Sequence, residues 1–120
     1  MNAHLLQIIE QLYNEILNPG MQRYENGERE AKRNRELFEV VKEETKPLFK
    51  WIDDWERETL ATIHNLPIMP NQVKNTKENL ELFVFHSYYR DVRRKRFMEI
   101  YHSIDYVLTQ MKQDHHREEE

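Results

Sequence analysis

Residues 97–111 read FMEIYHSIDYVLTQM, and their reading decides the fold. Phe97, Tyr101, Ile104, Leu108 and Met111 recur at spacings of four, three, four and three. Side chains alternate every second residue on a strand, so only an α-helix places this set on one face, as a heptad seam. Glu99 and His102 then fall on the outer face. Upstream, Leu80, Phe83, Val84, Tyr88 and Val92 carry the same kind of pattern, with helix resuming near Asn71 or, if Asn75-Thr76-Lys77-Glu78 acts as a capping box, slightly later. One straight helix over residues 71–113 would reach roughly 65 Å at ~1.5 Å per residue. A domain of 120 residues is not that long, so a bend or short turn is expected between Tyr89 and Arg96.

Working toward the N-terminus, Leu66-Pro67-Ile68-Met69-Pro70 cannot be helical throughout and reads as an apolar extended segment lying across a bundle end. Before it, Leu48, Trp51, Ile52, Trp55 and Ile63, with Thr59 and Thr62, mark one face of a helix. Pro47 reads as that helix's first turn, because proline is tolerated where no backbone donor is needed. Leu37, Phe38, Val40 and Val41 mark the buried side of a shorter helix before it, and residues 28–36 are almost all polar. At the start of the chain, Asn2 reads as an N-cap, and Leu5, Ile8, Ile9, Leu12 and Ile16 form a broad apolar face. Pro19-Gly20 predicts a kink there, with the helix continuing to Asn26-Gly27; a full break at Asn18 is the rival reading. The expected fold is all-α: an up-and-down four-helix bundle with a kinked first helix and short second and third helices. Residues 1–112 form the bundle and residues 113–120 a polar, frayed tail.

Composition narrows the classes of function. Apolar residues are 38% and charged residues 33% of the chain, a thin core under a charged surface that suits helices burying one stripe each. Two glycines and four prolines are too few for the turns of an all-β fold. With no cysteine, disulfides, thiol catalysis and cysteine-ligated metal sites are excluded. The formal net charge of −4 disfavours nucleic acid as a bulk partner. No apolar run approaches the ~20 residues that span a bilayer, and Met1-Asn2-Ala3-His4 lacks the basic start of a signal peptide, so a cytoplasmic protein without a membrane partner is expected.

Several fragments taken together resemble a known family. Arg23-Tyr24-Glu25-Asn26-Gly27, Leu37-Phe38-Glu39, Trp55, and Ser87-Tyr88 followed by Lys95-Arg96-Phe97 are similar, in order and spacing, to the YppE-like proteins of Bacillus-type bacteria. The resemblance runs to about Lys112 and implies a small cytosolic four-helix up-and-down bundle. It carries over no catalytic residue, cofactor or partner.

Candidate chemistry is sparse. Glu99-Ile100-Tyr101-His102 is an E-x-x-H motif of the kind di-iron bundles use, but such a site needs two of them facing inward, and this one lies off the seam. His4, His64, His86 and His102 sit on different segments and His115-His116 in the expected tail, so a scattered-histidine metal enzyme stands as the alternative function. Phosphate-cradling loops and nucleophile elbows are absent from the sequence. No catalytic residue, metal ligand or cofactor is assigned.

One feature rises above background. Arg90-Asp91-Val92-Arg93-Arg94-Lys95-Arg96 holds five basic residues in seven, whereas Glu36, Glu39, Glu43, Glu44, Asp53, Asp54, Glu56 and Glu58 make the middle of the chain acidic. Either the two regions face each other or solvate their own helices, or Arg90, Arg93, Arg94, Lys95, Arg96 and Tyr89 form a patch for an acidic protein partner. The expected function is a non-enzymatic interaction module, with weak nucleic-acid contact through residues 90–96 as a further alternative.

Overall fold

The computed structural model describes residues 1–27, 35–89 and 91–119, with side chains to residue 117. Among the described residues, five α-helices make four rods: α1 (Ala3–Gln11) joined through a π-helical turn (Leu12–Leu17) to α2 (Asn18–Glu25), then α3 (Arg35–Ala61), α4 (Pro70–His86) and α5 (Arg94–Glu119). No β-strand occurs among the described residues. The rods run antiparallel. Residues 1, 10, 13 and 24 meet residues 115, 112, 105 and 97, and residues 49 and 56 meet 85 and 77. Each rod thus packs on its sequence neighbour, and the first closes the ring against the last, in the up-and-down order. α5, about 39 Å long at ~1.5 Å per residue, dominates the long axis of a 48 × 26 × 23 Å body.

The first rod shows how a proline is absorbed. Asn2 caps α1, accepting from the Leu5 amide at 2.8 Å. Pro19 cannot donate to the Glu15 carbonyl and would crowd it. The chain widens into a π-turn instead, and the Asn18 amide donates to Tyr13 five residues back. The helix continues through this turn, ending at Gly27, whose φ of 69° is the left-handed conformation that glycine tolerates.

Pro47 has a different outcome from the one expected. It lies inside α3, which runs unbroken for 27 residues, so the short second and third helices are a single long one. Proline is tolerated because its side faces solvent, where water can satisfy the orphaned Glu43 carbonyl. On the opposite side Val41, Thr45, Ile52, Trp55 and Thr59 are buried and hold both halves to the core. The same continuity overturns the assignment of Phe38 and Val40 to the core: Val41 is buried, whereas Phe38 and Val40 are 49% and 53% exposed. Leu48, Trp51 and Ile63 are half-buried against the core.

The crossing, the corner and the seam follow the expectations, whereas the cap at residues 75–78 and the tail do not. Ile68 in the extended segment is buried in the core. α4 starts at Pro70, with Gln72 Oε1 accepting from the Met69 amide at 2.9 Å, so the cap at residues 75–78 goes unused and Thr76 is buried mid-helix. α4 ends at His86 and α5 begins at Arg94, the corner that the length argument required. Phe97, Ile104, Leu108 and Met111 are fully buried on the heptad seam, joined by Ile100 and Val107, while Tyr101 sits at its edge. α5 continues through residues 113–119, where a frayed tail is expected from the sequence, and His115 Nδ1 lies 2.9 Å from the Met1 carbonyl oxygen.

Candidate interaction surface

The corner between α4 and α5 carries the basic run, and the end of α2 clamps it residue by residue. Arg23 donates to Ser87 Oγ at 2.7 Å and lies 4.0 Å over the Tyr88 ring. Tyr24 stacks on Phe97 at 4.0 Å and donates through its hydroxyl to the Val92 carbonyl at 2.7 Å. Glu25 accepts from Arg94 at 2.7 Å. Burial pushes the Tyr88 hydroxyl above its ordinary pKa, an effect that the Arg23 charge opposes and nearby Glu44 reinforces. The fragments 23–27, 87–88 and 95–97 therefore mark a structural joint.

This geometry sorts the basic run. Arg93, Arg94, Lys95 and Arg96 are exposed. Arg94 is engaged with Glu25, so it serves the joint. Tyr89 is buried at 3% exposure and offers no surface for stacking, because the chain turns inward at the end of α4. Arg90 lies outside the described residues. The acidic stretch of α3 is met from elsewhere: Lys77 of α4 reaches Glu56 at 3.2 Å and Asp53 at 3.6 Å, Lys46 reaches Glu43, and Arg57 reaches Asp54. The hydrogen bond to Glu56 holds the Lys77 pKa above its usual value, whereas burial raises that of Glu81.

The metal-oriented candidates do not converge. Glu99 and His102 are exposed, as the seam required. Among the described residues, no three His, Asp or Glu side chains group as a metal site. His102 instead opens onto a shallow cleft of about 480 Å³ between α4 and α5, lined by neutral groups such as Gln72, Asn75, Asn79 and Tyr106. No helix among the described residues is long and apolar enough to cross a membrane.

A surface that the sequence reading missed lies between α3 and α4. Phe38, Phe49 and Phe85 line an open groove of about 500 Å³ whose rim is Lys42, Lys46 and Lys50. The groove continues past Phe38 and Phe85 to Leu82 and His86. Phe49 and Phe85 pack against each other at 5.4 Å with a 42° tilt. Phe38 is half exposed above them, and Leu82 is 38% exposed. The signal was present in the sequence as Phe38, Lys42, Lys46 and Lys50, a strict four-residue stripe.

Comparison with known proteins agrees with this fold. The crystal structure of the YppE protein from Bacillus subtilis superposes with a TM-score of 0.80 at 26% identity, covering 99% of this chain and 98% of that one. No curated protein sequence matches. Residues 9–115 match a bacterial domain of unknown function, DUF1798, and the chain belongs to that family.

Proposed function

We propose that this chain is a non-enzymatic interaction module of the bacterial cytoplasm, a helical bundle that holds an acidic protein partner on its surface. The observation that carries the reading is the α3–α4 groove. Its aromatic floor remains open to solvent although the bundle has a complete core elsewhere, and cations line its edge. Exposed aromatic side chains rimmed by charge are the usual composition of a protein contact. The exposed Arg93, Lys95 and Arg96 at the corner supply a second electropositive surface for the same partner, with Arg90 as its neighbour in sequence. The test is site-specific photo-crosslinking in the source bacterium, with the reactive residue placed in turn at Phe38, Arg93 and Tyr106. A discrete covalent protein product from Phe38 or Arg93, and none from Tyr106, is expected. Absence of a product at every position would defeat the interaction reading.

A further inference from the structure

We infer that the α3–α4 groove receives an acidic amphipathic helix of about fifteen residues, packed as a fifth helix on the bundle. The inference rests on the interaction reading and specifies its partner.

The groove's length comes first. Its floor and rim extend along α3 from Phe38 to Asp53, which at ~1.5 Å per residue is about 22 Å. The rim is chemically ordered along that length. Lys42, Lys46 and Lys50 stand one helical turn apart, a cation about every 6 Å. Lys42 and Lys50 make no ion pair among the described residues, and Lys46 bonds only to exposed Glu43 on its own helix, a pair that a competing carboxylate displaces at little cost. Beyond Lys50 the sign changes, because Asp53 and Glu56 gather around Lys77. The surface thus presents three cations in a row and then an acidic stop.

Charge and shape together choose the occupant. A single fatty carboxylate would use one lysine and leave two idle. An extended peptide would lay its backbone N–H and C=O groups on phenylalanine rings, where the helical walls use their backbone groups internally, apart from the Glu43 carbonyl that Pro47 leaves open, and offer no strand edge. A helix satisfies its own backbone, offers an apolar stripe to Phe38, Phe49 and Phe85, and can repeat carboxylates at the four-residue pitch of the lysines. Single-stranded nucleic acid fits less well. The Phe49 and Phe85 rings tilt onto each other instead of presenting flat faces for stacking bases.

The probe is a fluorescent synthetic helix of fifteen residues, with leucine on one face and glutamate every fourth position on its flank. Binding to the full chain is read by fluorescence anisotropy. Controls are the same peptide with lysine for glutamate, and a fifteen-nucleotide oligothymidylate. The acidic helix is expected to bind, more weakly as salt rises, while the basic peptide and the oligonucleotide do not. Lys42→Glu, Lys46→Glu and Lys50→Glu combined should weaken it about tenfold or more, since three exposed charge pairs are reversed. Should that variant lose helicity, the three lysines changed to glutamine serve instead and should still weaken binding. Arg93→Glu with Lys95→Glu and Arg96→Glu, on the corner surface, should weaken the fifteen-residue probe less than the groove variant does. Loss only in this second variant overturns the groove and leaves the interaction reading standing on the corner. Equal binding of the basic peptide, preference for the oligonucleotide, or no binding of the acidic helix each overturns the inference; the crosslinking experiment then decides the interaction reading by itself.

Discussion

Gly20→Ala provides a quantitative test of the packing. In an ordinary helix this change stabilises by about 1 kcal/mol, because alanine loses less backbone freedom on folding. Here a Cβ on residue 20 would lie 2.4 Å from Phe83 Cε1 and 3.0 Å from Cζ, against about 3.5–4.0 Å for a relaxed carbon contact. The ring has nowhere to retreat. Phe83 is fully buried, with Phe97 stacked at 4.7 Å and Tyr101 tilted against it at 6.1 Å. Overpacking of this kind costs about 1–3 kcal/mol, so the net expectation is a loss of about 1 kcal/mol and a melting point lower by about 4–6 °C. Urea unfolding followed by circular dichroism measures it. The sign should reverse in a Phe83→Leu background, where the clash is relieved and only the helix preference remains, giving a gain of up to about 1 kcal/mol. Stabilisation by Gly20→Ala in the parent would refute the contact, as would the same loss in both backgrounds.

Other substitutions probe separate links. Trp55 is fully buried, so Trp55→Ala should cost about 3–5 kcal/mol; Trp55→Phe should cost far less, because the indole N–H it removes has no hydrogen-bond partner, and comparing the two unfolding midpoints checks this. Tyr13 donates to Asp105 at 2.7 Å, and burial, with the nearby Asp105 carboxylate, raises its pKa above the tyrosine value. The unfolded chain therefore releases this proton first: the stability is intact below pH about 10 and falls as pH rises past it, and Tyr13→Phe should flatten that alkaline loss in unfolding titrations. Pro47→Ala should preserve the fold and raise the melting point, since it restores a backbone donor inside α3 at a solvent-facing position; a fall would mean proline's fixed geometry is needed for packing.

Much of this architecture could be read from local patterns. The heptad seam over residues 97–111, the Asn2 cap, the left-handed Gly27, the apolar crossing at residues 66–70 and the corner before Arg96 each depend on nearby residues and simple geometry. The misses depend on distant partners. Pro47 looks like a helix start until Val41 and Thr45 before it and Ile52 and Trp55 after it are seen to share one core. Phe38 and Val40 look buried by hydrophobicity, but the continuous helix rotates them to the surface, and this turns a supposed core face into a groove. Tyr89 fails as a surface residue for the converse reason: the turn after α4 carries it inward. The clamp formed by Arg23, Tyr24 and Glu25 joins residues more than sixty positions apart in sequence, beyond the reach of any periodicity.

The most direct test of the groove as the binding face is a nuclear magnetic resonance titration of the isotope-labelled chain with the acidic amphipathic helix. Amide shifts concentrated along α3 from Phe38 to Asp53 and along α4 from Leu82 to His86 are the predicted result. Shifts concentrated instead on residues 93–96, or around Asn75, His102 and Tyr106, would contradict it.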